Sequence, residues 1–170
     1  MAERLILITG GARSGKSTKA LSLAEPYPQK LFVATAEARD EEMRARIEHH
    51  RAEREESWKT IEEPLDLARA MRIDPDAVAI VDCLTLWVSN AMEANLDIEA
   101  ALEEFLAAAR QRRAPVIAVT NEVGMGIVPL YESARRFRDL AGLTNQRVAA
   151  AADAVWLMAC GIGLPLKTLA

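Results

Sequence analysis

Sulfur and imidazole are scarce in this chain of 170 residues, which has two cysteines and two histidines. Cys83 and Cys160 lie far apart in apolar surroundings, without metal-ligand spacing. That excludes a structural zinc site and a dense disulfide framework, and both are expected as reduced, buried thiols of a cytosolic protein. Long hydrophobic runs are also missing. The first apolar stretch, Leu5–Ile8, is far too short for a signal h-region, and none is long enough to span a bilayer. There is no excess of basic charge: the net charge of −4 gives no hint of a nucleic-acid partner. No internal repeat or low-complexity linker breaks the chain. These absences leave a cytoplasmic protein with no membrane span and no nucleic acid among its partners.

What is present is an ordinary globular balance, 51% hydrophobic and 27% charged, with length for one domain over residues 1–170. Short apolar runs alternate with helical patterns. The runs at Arg4–Thr9, Lys30–Ala36, Ala77–Leu84, Pro115–Asn121 and Ala154–Cys160 read as strands buried on both faces, with "LPLK" a candidate sixth and Ser57–Pro64 extended. Helices are expected at Gly15–Glu25, Arg39–Glu56, Leu65–Met71, Asp97–Arg113 and Ser133–Asp153, the last with an irregularity near Gly142. Such alternation implies right-handed crossovers, hence an α/β fold with a mainly parallel sheet and helices on both faces. Ligands on such sheets sit at the carboxyl ends of the strands, so the loops after Thr9, Ala36, Asp82 and Asn121 share one rim. Trp87, Met92 and Trp156 are large apolar residues suited either to the core or to a subunit contact.

The segment "GGARSGKS" fits G-x-x-x-x-G-K-[ST], between an expected strand and an expected helix. Gly10, Gly11, Ala12, Arg13, Ser14 and Gly15 would wrap their N–H groups around phosphate oxygens, beside the positive end of the helix dipole. Lys16 would reach the β- and γ-phosphates, and the Ser17 hydroxyl would ligate Mg²⁺. Asp82 closes the strand "AVAIVD" on the same rim. It reads as the second acid of a nucleotide–Mg²⁺ site, or else as a strand-end cap.

Both histidines fall in "RIEHHRAEREE". At 100° per residue, Met43 and Ile47 mark the apolar stripe of the expected helix. His50 falls beside that stripe. His49 falls with Glu42, Arg46 and Glu53 on the polar side, where a ring is either merely solvated or available to a ligand. A neutral imidazole is a competent nucleophile at neutral pH and can hold a phosphoryl or nucleotidyl group as a phosphoramidate. Arg46 and Arg51 would neutralise phosphate charge, or else pair with neighbouring glutamates.

Taken together, "ITGGARSGKS", "VATAEARDEEMRARIEHHRAER", "TIEEP", "DCLTLWVSN" and "VTNEVGMGIVP" with the helix and strand that follow resemble the bifunctional adenosylcobinamide kinase / adenosylcobinamide-phosphate guanylyltransferase family. The resemblance runs through nearly the whole chain, and the histidine pair and "TNEVGMGIVP" are far more specific than the phosphate loop. It implies a P-loop NTPase with a RecA-like sheet, ATP and GTP as substrates with Mg²⁺, and phosphorylation of adenosylcobinamide. Transfer of GMP to the resulting adenosylcobinamide phosphate would follow, through a covalent guanylyl-histidine that falls on His49. Nucleotide contacts carry over to Gly10–Ser17, to Thr35, Ala36 and Glu37, to His50, Arg51, Ala52 and Glu53, and to Glu62 and Asp82. A homotrimer is implied as well. The loop Glu122–Pro129 faces the acceptor or a neighbouring subunit, or is simply a tight structural loop. Two rival functions use fewer of these features: a P-loop kinase acting only on a small-molecule hydroxyl, and a non-enzymatic P-loop switch.

Overall fold

A computed structural model of the chain describes residues 3–37, 41 and 58–168. The helix expected at Arg39–Glu56 falls almost wholly outside the described residues. His49, His50, Arg51, Ala52 and Glu53 are among those outside.

Seven strands form one sheet: β1 (Leu5–Gly10), β2 (Lys30–Ala34), β3 (Trp58–Glu62), β4 (Val78–Asp82), β5 (Val116–Val119), β6 (Ala154–Ala159) and β7 (Ile162–Lys167). Their order is β3-β2-β4-β5-β1-β6-β7. The pairings are parallel except β6 with β7. Five described helices connect them: α1 (Lys16–Ala24), α2 (Leu67–Arg72), α3 (Leu84–Glu93), α4 (Ile98–Gln111) and α5 (Glu132–Ala151).

The continuous apolar runs follow from burial on both faces. Along β1, Leu5 and Leu7 join a cluster with Leu67, Trp87, Phe105 and Val148 of α2–α5. Ile6 and Ile8, pointing the other way, pack with Ala20 and Ala24 of α1. Asp66 and Asp97 cap α2 and α4, each side chain accepting the N–H three residues on.

The sequence pattern hides one element and misjudges two details. Helix α3 runs through "LTLWVSNAME", where Thr85, Trp87 and Val88 disfavour helix intrinsically. Burial of Leu84, Trp87, Val88 and Ala91 against the sheet overrides that preference. Helix α5 passes Gly142 unbroken. Cys160, expected buried, is exposed. It occupies the two-residue β6–β7 hairpin turn with Gly161, at φ 53° and 80°, where the left-handed backbone of the turn keeps the side chain off the sheet. Cys83 is buried as expected. Trp87 is fully buried in the core; Trp156 is half-buried, with the Lys19 ammonium 4.1 Å from its ring centroid.

Candidate functional site

The carboxyl ends of the strands carry the polar residues singled out from the sequence. Ile8, Val119, Asp82, Ala34 and Glu62 stand level across β1, β5, β4, β2 and β3. One strand, β5, therefore separates the strand that enters the phosphate loop from the strand that ends in Asp82.

Residues Gly10–Gly15 turn back over the end of β1 because the backbone takes conformations that few residues accept. Gly10 has φ 148°, and a Cβ there would come within 2.4 Å of the Met158 carbonyl oxygen. Arg13 (φ 53°) and Gly15 (φ 98°) are left-handed, and Gly15 approaches Gly161 so closely that a Cβ would lie 3.2 Å from its Cα. Two flanking segments hold the loop. Gly161 N–H donates to the Ser14 carbonyl at 3.0 Å, and Glu122 N–H donates to the Gly10 carbonyl at 3.1 Å. Helix α1 opens from Gly15 with no side-chain cap, which leaves its first N–H groups for an anion. The buried Ser14 hydroxyl has no hydrogen-bond partner among the described residues. Gly11, Ala12 and Arg13 are exposed, and Ser17 is half-buried.

Lys16 is buried, and its ammonium donates to the Gly11 carbonyl at 2.5 Å. Burial pushes its pKa below the usual lysine value, while the nearby Asp82 carboxylate pulls it back up. Lys16 and Asp82 thus share one electrostatic neighbourhood, although 66 positions separate them in sequence and two strands, β2 and β3, come between β1 and β4 along the chain. The Cys83 thiol is itself pushed up to about 11, chiefly by burial and then by the Asp82 charge, and stays protonated.

Asp82 is held from behind. Thr35, completely buried, donates its hydroxyl to the Cys83 carbonyl and accepts the Cys83 N–H, both at 2.8 Å. Asn90 of α3 donates to the Thr35 carbonyl at 2.8 Å. Thr35 is therefore a tie between β2 and the residue after Asp82, not an open donor. Ala36 is half-buried, and Glu37 and Glu62 are exposed on the same rim. On the far side of β2 from Asp82, Glu63 accepts the Leu65 and Asp66 N–H groups and pairs with Arg69, interactions that hold its carboxyl below the usual range against the opposing effect of burial. Sequence reasoning missed Thr85, Asn90, Thr120 and Asn145. Their only signal was polar side chains inside apolar segments.

The donor set suits a magnesium–nucleotide site. Ser17 offers a hydroxyl and Asp82 a carboxylate, both hard oxygen donors. No group of three or more His, Cys, Asp or Glu side chains able to hold a metal occurs among the described residues.

A family model described as cobinamide kinase / cobinamide phosphate guanyltransferase matches residues 6–166. The chain is 44% identical to the bifunctional adenosylcobalamin biosynthesis protein CobU of Escherichia coli, over 96% of this chain and 99% of that protein. With the bifunctional adenosylcobalamin biosynthesis protein CobP of Pseudomonas aeruginosa it shares 42% identity, over 95% and 96% respectively. Among solved structures, a KaiC-like protein of Pyrococcus horikoshii superposes with a TM-score of 0.53 at 16% identity, covering 91% of this chain and 71% of that one. An ATPase of a bacterial type III secretion system superposes at 0.51 with 9% identity, covering 95% and 56%. Those two likenesses speak for the fold, a P-loop NTPase.

Proposed function

The chain belongs to the cobinamide kinase / cobinamide phosphate guanyltransferase family, and from that premise we propose how its residues divide the two reactions. It is a bifunctional enzyme of adenosylcobalamin biosynthesis: a kinase for cobinamide and a guanylyltransferase for cobinamide phosphate. Residues 1–170 act as one nucleotide-binding domain, with ATP or GTP as phosphoryl donor and GTP as guanylyl donor.

In both steps Gly10–Ser17 grip the triphosphate through backbone N–H groups, and Ala36, Glu37 and Glu62 contact the nucleotide from the neighbouring strand ends. Lys16 exchanges the Gly11 carbonyl for phosphate oxygens. Ser17 and Asp82 would hold Mg²⁺, which would supply positive charge to the phosphates. In guanylyl transfer an N–P bond forms between His49 and the α-phosphorus. The bond from that phosphorus to the bridging oxygen breaks, and pyrophosphate leaves with the electron pair beside Lys16. Next an oxygen of adenosylcobinamide phosphate bonds to the same phosphorus, the N–P bond breaks, and its electrons return to the ring. His50, Arg51, Ala52 and Glu53 contribute nucleotide contacts by resemblance alone. Two separate displacements spare the site from holding every substrate at once.

The observation that carries this reading is the meeting of a buried Lys16, an uncapped helix start and Asp82 on one rim. The reading is tested with His49→Ala, which is expected to phosphorylate adenosylcobinamide but form no adenosylcobinamide-GDP. Loss of both activities in a folded variant would instead give the ring a binding role.

A homotrimer belongs to the same proposal. Its support is an apolar surface: Met125, Ile127, Val128, Leu130 and Tyr131 are exposed after β5, and Ile162, Leu164 and Leu166 along the edge strand β7. Sedimentation equilibrium is expected to give three times the chain mass, and Ile127→Glu to lower it. Residence in the cytoplasm is supported by the two free thiols.

A further inference from the structure

Neither the histidine pair nor the phosphate loop explains a closed hydrogen-bond ring at the end of β5. Asn121 N–H donates to Thr85 Oγ1 at 2.7 Å. Thr85 and Thr120 hydroxyls meet at 3.2 Å, and Thr120 donates to Asn145 Oδ1 at 2.7 Å. Asn145 Nδ2 returns to the Asn121 carbonyl at 3.1 Å. The donor directions are mutually consistent all the way round, from the backbone of Asn121 through Thr85 of α3, Thr120 just after β5 and Asn145 of α5 back to the same residue. Thr85 and Thr120 are buried, at 7% and 1% exposure, where an incomplete network would be costly. Both backbone groups of one residue are thereby fixed by side chains from two helices.

The side chain so presented is not itself tied down. Among the described residues its carboxamide has one partner, the Cys83 sulfur, 3.9 Å from Nδ2. A neutral thiol is a weak acceptor, so little is lost when this donor turns to a better one. Its position is telling. Strand β5 lies between β1 and β4, the next residue, Glu122, is bonded to the Gly10 carbonyl, and Cys83 directly follows Asp82. Asn121 therefore stands between the phosphate loop and the acid.

We infer that the Asn121 carboxamide is a catalytic donor of the kinase step, its Nδ2–H group bonding the γ-phosphoryl oxygens during transfer. The acceptor oxygen bonds to the γ-phosphorus, and the bond from that phosphorus to the β–γ bridging oxygen breaks. The diphosphate leaves with the electron pair, and the hydroxyl proton passes to solvent. Asn121 transfers no proton; it adds a neutral dipole, carried on a fixed backbone, to the charges already present. Thr85, Thr120 and Asn145 are positioning residues.

The inference rests on the triphosphate lying in the phosphate loop, so Lys16→Ala is run in parallel. Its loss of triphosphate binding upholds that premise independently; unchanged binding would overturn the premise itself. Asn121→Ala is expected to lower kcat for adenosylcobinamide phosphorylation about 10²-fold, the usual effect of removing one such donor. KM for the triphosphate should stay within about three-fold, and guanylyl transfer to supplied adenosylcobinamide phosphate should fall less than about five-fold, because that bond breaks at the α-phosphorus. Asn121→Asp, isosteric but anionic, should be at least as poor a kinase with an unchanged melting temperature. Equal losses in both reactions, or an unaltered kinase kcat in Asn121→Ala, would overturn the inference.

Discussion

Thr35 and Cys83 exchange a pair of hydrogen bonds, the threonine hydroxyl donating to the cysteine carbonyl and accepting its N–H, each at 2.8 Å. This side chain stands in for a rung of the sheet just where β2 and β4 end. The residue before Cys83 is Asp82, so the hydroxyl fixes the backbone from which the acid projects.

Thr35→Val keeps the shape and removes that exchange. Each buried backbone group left unpaired costs about 1–3 kcal/mol. The melting temperature should fall, and the magnesium concentration needed for half-maximal activity should rise because Asp82 is no longer held. Thr35→Ser should restore both. Calorimetry and magnesium titration measure the two effects; a variant with a lower melting temperature but an unchanged magnesium requirement would detach Thr35 from the site.

A stability–function conflict is expected at Lys16. Burial depresses its pKa, so the folded chain bears a penalty for the protonated ammonium. That penalty is complete below the depressed folded value and fades as pH rises through it towards the unfolded value. Lys16→Met should therefore melt higher than the parent at neutral pH without nucleotide, with the gap closing at alkaline pH. With triphosphate at a hundred times its dissociation constant the parent should gain about 2.7 kcal/mol and the variant nothing. Thermal melts with and without nucleotide make the comparison.

The two thiols should behave oppositely. Cys160 is exposed in the hairpin turn, and Cys83 is buried with its pKa pushed up to about 11. A thiol reagent at neutral pH should modify one cysteine per native chain, at Cys160, and two after denaturation. An acid whose folded pKa is raised stays protonated in the fold while the unfolded chain ionises near 8.5, so folding stability should decline from about pH 8.5 towards 11. Cys83→Ala should flatten that decline. Peptide mapping of the labelled chain and melts across this range test the pair.

Much of this architecture was legible in the residues. Strands buried on both faces announce themselves as unbroken apolar runs, and β1, β2, β4, β5 and β6 all do. The phosphate loop was legible because its chemistry demands glycines and a lysine at fixed spacing. Helix α3 was not, since its propensity is poor and its stability comes from burial of Trp87 and its neighbours. With α3 went the site's supports, because Thr85 and Asn90 ride on it and meet Thr120 and Thr35 only through the fold. The exposure of Cys160 depended on a turn conformation that composition does not encode. Asp82 stood out as an acid ending an apolar strand, whereas Asn121, ending the neighbouring strand on the same rim, carried no signal of a chemical role, because the groups that fix it come from α3 and α5.

The central claim is a covalent guanylyl group on one imidazole. Incubation of the enzyme with Mg²⁺ and GTP labelled at the α-phosphorus, followed by denaturation, measures it directly. Label should remain on the chain, survive alkali, be lost in acid, map to His49 and pass to adenosylcobinamide phosphate when that is added before denaturation. Equal labelling of His49→Ala, or no retained label in a parent enzyme that still makes adenosylcobinamide-GDP, would contradict the account.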